Sequence, residues 1–251
     1  MKRIAVITGA SSGFGSLLAT KLDKEFSCID EIYLIARRRD RLEELKKVIA
    51  KPCKIIDTDL SVLENVTKII DIIASDNVKV KILANCAGFG VYNEVIESST
   101  EDCTGMIDVN CKALTILCKE MIPFMSYNSR IINFASSAAF LPQKNFAIYA
   151  ATKAYVLHFT RALNEELKSL TIHCTAVCPG PADTEFFDVA YKNHSGMPGY
   201  KKLFMADAKK VVDKAIRDAV LKKDVSVYGL SMNAFKVCAK ILPHKLLFKF
   251  I

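Results

Sequence analysis

The chain has 251 residues, with 35 Lys and Arg against 27 Asp and Glu (formal charge +8); 51% of its residues are apolar and 25% charged. That balance describes a globular chain long enough to bury a core without metals or staples, and it excludes disorder. No apolar run is long enough to cross a bilayer, the N-terminus lacks the form of a signal peptide, and the lysines lie on helical faces without interleaved aromatics.

These features point to a cytoplasmic protein with no nucleic-acid partner and a modest attraction for phosphorylated ligands. The nine cysteines run from Cys28 to Cys238 without a C-x-x-C pair, and several fall in apolar stretches. They read as reduced thiols acting as small hydrophobes, and no clustered ligand set calls for a metal.

In chain order, short Ile- and Val-rich runs predict strands over 3–8, 31–37, 53–57, 79–85, 130–135, 171–178 and 224–228. Between them lie longer segments with apolar residues at helical spacing. Asp40-Arg41-Leu42-Glu43 and Ser61-Val62-Leu63-Glu64 each set a capping side chain three residues before a Glu, predicting helix starts at Asp40 and Ser61. This alternation predicts an α/β fold: a doubly wound parallel sheet of about seven strands with helices on both faces. No linker or repeat divides it, so 1–251 reads as a single domain. Ligands in such sheets bind beyond the carboxyl ends of the strands.

Thr8-Gly9-Ala10-Ser11-Ser12-Gly13-Phe14-Gly15 follows the first predicted strand and opens a helix. Glycines there allow a tight turn and close approach of backbone to a pyrophosphate, which the helix N-terminus attracts. Taken alone such a loop is often only a turn; between a strand and a helix it is a good signal. The spacing differs from G-x-G-x-x-G and resembles the T-G-x-x-x-G-x-G of the short-chain dehydrogenase/reductase family, which implies a Rossmann-like fold and NAD(P) contacts from Gly9, Ser11, Ser12, Gly13, Phe14 and Gly15.

The second strand ends at Ala36 followed by Arg37-Arg38-Arg39, where an NAD enzyme would carry an acid for the ribose hydroxyls. A guanidinium grips a phosphate through forked charge-assisted hydrogen bonds, which favours NADP(H) over NAD(H), with Arg37 as the contact. The resemblance implies that Asp59, beside Leu60, touches the adenine amino group. Asn85-Cys86-Ala87-Gly88 is similar to the family's N-N-A-G, with Cys86 departing from the second Asn. Asn85, Ala87 and Gly88 carry over as cofactor contacts.

Tyr149 and Lys153 stand four residues apart at the start of a long amphipathic pattern, so a helix brings both to one face. An ammonium near a phenol favours the phenolate, and the phenol can then exchange a proton with a substrate oxygen. Tyr-x-x-x-Lys is common on helices; its company makes it specific. Ser136 lies thirteen residues before Tyr149, just past a predicted strand, and Asn110 interrupts an apolar helical stretch. The resemblance implies that Ser136 positions the substrate oxygen, and that the Asn110 backbone carbonyl holds a water linking Lys153 to solvent. Pro179-Gly180-Pro181-Ala182-Asp183-Thr184 looks like the family's segment against the nicotinamide, implying contacts from Pro179, Gly180, Ala182 and Thr184.

The resemblance covers roughly residues 3 to 228. It implies an oxidoreductase moving hydride between NADP(H) and a carbonyl or secondary alcohol, in a homodimer or homotetramer. Phe89, Gly90, Phe140, Leu141 and Phe146 are candidate apolar walls, and residues 184–205 a candidate lid, so the substrate reads as apolar. A nucleotide-bound sensor on the same fold is the alternative; an epimerase would need a longer substrate-binding portion. The tail 231–251 mixes lysines with apolar residues and carries no acid; lying on a membrane surface, covering the pocket and packing at a subunit interface all fit it.

Overall fold

β1 (Arg3–Thr8) shows why the sheet sits at the centre: Ile4 and Val6 enter the core on one face and Ala5 and Ile7 on the other, all fully buried. A strand with both faces covered needs apolar residues throughout, which is what parallel sheets under helices require. The computed structural model describes residues 1–192 and 205–243. Seven parallel strands, β1 to β7, lie in the order β3-β2-β1-β4-β5-β6-β7.

The others are β2 (Glu31–Ala36), β3 (Cys53–Asp57), β4 (Lys79–Asn85), β5 (Met125–Phe134), β6 (His173–Val177) and β7 (Val225–Ser226). All seven expected strands are present. β5 starts five residues early because a register break between Val80 and Ile82 lets Met125 pair before the ladder resumes at Arg130.

The helices are α1 (Gly13–Glu25), α2 (Arg39–Val48), α3 (Leu63–Ser75), α4 (Thr100–Ile107), α5 (Leu114–Met121), α6 (Ala147–Glu166), α7 (Phe186–Ala190), α8 (Ala208–Val220) and α9 (Leu230–Ile241). Leu18 and Leu22 of α1, Leu42 of α2 and Val212 of α8 pack in the core layer on one face of the sheet. Val66 and Ile69 of α3, Leu117 of α5 and Val156 of α6 fill the other.

Both expected caps are corrected. α2 begins at Arg39 with Arg38 at the N-cap, and Asp40 lies inside the first turn. α3 begins at Leu63 with Val62 at the N-cap, because the Ser61 hydroxyl turns back to Asp59 Oδ1 at 2.8 Å. The side-chain oxygen that would cap the helix serves the turn before it.

After β1 the chain winds outward through β2 and β3, then returns to place β4 on the other side of β1. The reversal opens a crevice beyond the carboxyl ends of β1 and β4, the usual ligand position in such sheets. Beside it, under the sheet, Asn133 accepts from Asn85 Nδ2 and donates to Thr160 Oγ1, both at 2.9 Å, tying β4, β5 and α6 together in a buried polar network.

Asn133→Ala leaves both partners short of a hydrogen bond in a dry site and is expected to cost about 1–3 kcal/mol, read as a lower urea midpoint. An unchanged midpoint would mean that the network adds nothing to stability.

Candidate active site

The turn after β1 is built for close approach. Gly9 has φ +67°, and a Cβ there would lie 2.7 Å from the Ala87 backbone nitrogen, while a Cβ on Gly15 would lie 2.3 Å from the Gly9 carbonyl oxygen. Only glycine fits either place without moving backbone. Ser12 at the N-cap of α1 makes no side-chain capping bond, and the first turn of α1 holds no acid. The N–H groups opening α1 therefore suit an anion rather than a cap of their own. Thr8 Oγ1 accepts from the Ala87 N–H at 3.2 Å, joining the ends of β1 and β4 at the floor of the crevice.

A cleft of about 390 Å³ runs from this turn. Its lining takes in Gly9, Ser11, Ser12, Gly13 and Phe14 at one end and Ser136, Tyr149 and Lys153 at the other. Arg37, Asp59, Leu60, Ala87, Gly88, Pro179, Gly180, Ala182 and Thr184 also face it. Asn85 and Asn110 are buried beneath it. Across the cleft the Thr184 side chain comes within 3.5 Å of the position a Gly13 Cβ would take. The Pro179 carbonyl accepts from the Ser137 N–H at 2.8 Å, fixing this segment to the turn after β5.

At the glycine-turn end, Arg37 is largely exposed and reaches Asp59 at 3.8 Å. Burial pushes the Asp59 carboxyl up, but hydrogen bonds from Ser61 and the Arg37 cation outweigh it and hold it below its ordinary value. Arg38, passed over in the sequence reading, is the more engaged cation. Its guanidinium meets Ser11 Oγ at 3.4 Å and Glu185 at 2.8 Å, spanning the cleft from the glycine turn to the start of α7. The Arg38 hydrogen bond holds the Glu185 carboxyl below the usual range. Arg37 and Arg38 are adjacent, and sequence alone does not say which turns inward.

At the other end, Tyr149 and Lys153 come from the first turns of α6 and point into one volume, with Lys153 Nζ 5.7 Å from the phenol ring centroid. Lys153 is 5% exposed and donates to the Phe134 carbonyl at 2.9 Å. Burial lowers its pKa to about 8, opposed by the thiols of Cys111, Cys178 and Cys86. Burial pushes the Tyr149 phenol up to about 12, opposed by a hydrogen bond with Ser136. The expectation that the ammonium draws the phenol down is corrected: desolvation wins and favours the protonated phenol. The Ser136 Oγ also accepts from the Ala138 N–H at 3.1 Å, which sets its direction.

Asn110 sits in a π-helical turn, Asp108–Ala113, between α4 and α5 and is wholly buried. Such turns recur at functional sites. Its Oδ1 accepts from the Phe89 N–H at 3.1 Å, and its Nδ2 donates to the Phe89 carbonyl at 2.9 Å and to Thr152 Oγ1 at 3.0 Å. Gly88 threads between: a Cβ there would lie 2.9 Å from Asn110 Oδ1 and 3.1 Å from Lys153 Nζ.

The family now follows from sequence as well as shape: residues 3–194 match the family model for short chain dehydrogenases. The chain belongs to the short-chain dehydrogenase family. It is an oxidoreductase that acts with a nicotinamide dinucleotide. An uncharacterized oxidoreductase of Staphylococcus epidermidis is 32% identical over 185 residues, 73% of this chain and 79% of that protein. Another, from Staphylococcus aureus, is 32% identical over 72% of this chain and 79% of its own length.

Two solved structures share the fold. A short-chain dehydrogenase of Sphingobium yanoikuyae in complex with NADPH superposes with a TM-score of 0.81 at 24% identity, covering 98% of this chain and 95% of that one. A short chain dehydrogenase/reductase of Burkholderia phymatum in complex with NAD gives 0.81 at 22% identity, covering 99% and 95%.

This short-chain dehydrogenase encloses its Tyr149 in aromatic rings from the expected walls and lid. Phe186 of α7 lies tilted against it, ring centroids 5.2 Å apart, and a Cβ on Gly90 would strike its ring at 2.7 Å. Phe146, a predicted wall, lies 4.6 Å from Tyr149, and Phe89 lines the cleft with Phe187 and Val189. Two predicted walls are corrected: Leu141 is buried, and Phe140 turns toward Phe235 of α9, 6.3 Å away. Of the expected lid, α7 closes on Tyr149, while Gly196, Pro198 and Gly199 lie outside the described residues.

Proposed function

We propose that this enzyme transfers hydride between NADP(H) and a carbonyl or secondary alcohol on an apolar molecule, with Tyr149 exchanging the proton at the substrate oxygen. The observation that carries the reading is the shared burial of a phenol and an ammonium at one end of a cleft whose other end is a glycine turn opening a helix. The glycine turn and the uncapped start of α1 fit a pyrophosphate. Bound there, the nicotinamide supplies or takes up the hydride.

The chain's own residues handle the proton. A buried phenol held protonated is suited to donate to a carbonyl oxygen as that oxygen gains charge. Ser136 hydrogen-bonds the same oxygen and orients it toward Tyr149. Lys153, fixed by the Phe134 carbonyl, stabilises the phenolate left behind, and the Asn110 turn links the ammonium to solvent water. The rings of Phe89, Phe146, Phe186 and Phe187 exclude water and favour an apolar substrate.

Arg37 and Arg38 support a preference for NADP(H), since no acid stands at the end of β2 and two guanidinium groups face the cleft. Residues 1–251 are read as a single cytoplasmic unit. Assembly into dimers or tetramers through long helices is supported by the partly exposed Tyr155 ring on α6, stacked 5.7 Å from Phe159.

Tyr149→Phe, assayed with NADPH and a panel of carbonyl compounds, is expected to lower kcat by about 10²–10⁴ with NADPH affinity nearly unchanged. Because Lys153 is charged below about pH 8 and neutral above it, carbonyl reduction should hold at lower pH and decline as pH rises through that value. Full turnover by Tyr149→Phe would overturn the proposal.

Cofactor choice has its own test. Arg37→Asp and Arg38→Asp are each expected to weaken NADPH binding roughly tenfold or more relative to NADH, as lost charge-assisted hydrogen bonds imply. An unchanged cofactor ratio in both variants would contradict the NADP(H) preference.

A further inference from the structure

Helix α9 presents its apolar residues to the outside. At 100° per residue, Leu230, Val237 and Ile241 fall on one stripe, and they are 92%, 53% and 73% exposed, with Leu242 beyond them at 42%. The opposite stripe, Met232, Phe235 and Ala239, faces the protein. Met232 Sδ would lie 2.6 Å from a Cβ on Gly180, Phe235 packs toward Phe140, and Ala239 is buried. The helix therefore needs only its inner face for docking onto the fold. Single exposed apolar residues are ordinary, but a stripe running the length of a helix marks an interaction surface.

Charge narrows the partner. From Val225 to Ile251 the sequence contains Lys236, Lys240, Lys245, Lys249 and His244, and no Asp or Glu. Lys236 and Lys240 are exposed along one flank of the stripe. A second copy of the chain packed stripe to stripe about a two-fold axis would bring these lysines against their own equivalents, which opposes association. An anionic surface that is apolar just beneath answers both features: apolar side chains enter the acyl boundary while lysines meet phosphate and carboxylate headgroups.

We propose that α9 is a membrane-docking helix that seats the enzyme on anionic phospholipid bilayers. No helix among the described residues is long and apolar enough to cross a membrane, so the contact is peripheral. Because Met232 packs on Gly180, which lines the cleft, docking through the outer face of α9 turns that side of the active site toward the bilayer. The proposal does not depend on the substrate reading, but it gives an apolar substrate a route from lipid to cleft.

The test is co-sedimentation of the full-length protein with vesicles of phosphatidylcholine alone and of phosphatidylcholine mixed with phosphatidylserine. Binding is expected to the mixed vesicles, and its loss at about 0.5 M salt, where the Debye length is only a few ångströms. Leu230→Ser/Val237→Ser/Ile241→Ser and Lys236→Glu/Lys240→Glu should each weaken binding about tenfold or more. Both variants should keep NADPH affinity, which reports that they fold.

Failure to bind anionic vesicles would overturn the proposal. So would variants that bind like wild type while removal of residues 244–251 abolishes binding, because the contact would then lie outside α9. A concentration-dependent dimer that the triple serine variant dissolves would assign the stripe to a second copy instead.

Discussion

The ammonium of Lys153 is held where a cation is costly to keep, and the arrangement of the site follows from that. It is almost fully buried, it has one described hydrogen-bond acceptor in the Phe134 carbonyl, and among the described residues it makes no ion pair. A carboxylate in that place would hold the charge firmly; its absence lets burial bring the pKa down to about 8. The charge is therefore not spent on a resting ionic partner among the described residues. β5 supplies the carbonyl, α6 the lysine, and Gly88 the narrow backbone passage that lets Lys153 and Asn110 approach.

The rest of the fold positions that charge at one end of the cleft. The reversal in strand order sets β1 beside β4, so the glycine turn, the Ala87-Gly88 segment and the serine turn after β5 open on one crevice. α6 crosses its rim with Tyr149 and Lys153 on the buried face. The aromatic rings around Tyr149 dry the same volume, which raises the phenol and lowers the lysine together. Desolvation thus sets a protonated phenol beside a weakly held cation.

How much of this was legible in the sequence depended on how local each feature is. Strands buried on both faces write themselves as continuous apolar runs, and all seven were legible to within a few residues. Tyr149 and Lys153 are one helical turn apart, so their shared face followed from spacing. The caps at Asp40 and Ser61 did not, because a serine two residues after Asp59 can bond forward to a helix or back to the turn, and here it bonds back. Gly90 and Phe186 are legible as a pocket wall and part of a lid, but not as neighbours of Tyr149: each meets it across dozens of residues of chain, and no local pattern marks a ring contact of that kind. Arg38 outranked Arg37 through Glu185, again a distant partner.

The central claim is that the Tyr149 phenol and the Lys153 ammonium share one cavity with the reactive face of a nicotinamide ring. A crystal structure with NADP(H) and a carbonyl ligand tests it most directly. The expected result is the pyrophosphate on the Gly9–Gly15 turn, the carbonyl oxygen in hydrogen-bond reach of Tyr149 and Ser136, and its carbon about 3–3.5 Å from the nicotinamide. A ring seated outside the cleft, or Tyr149 and Lys153 turned away from it, would contradict the account.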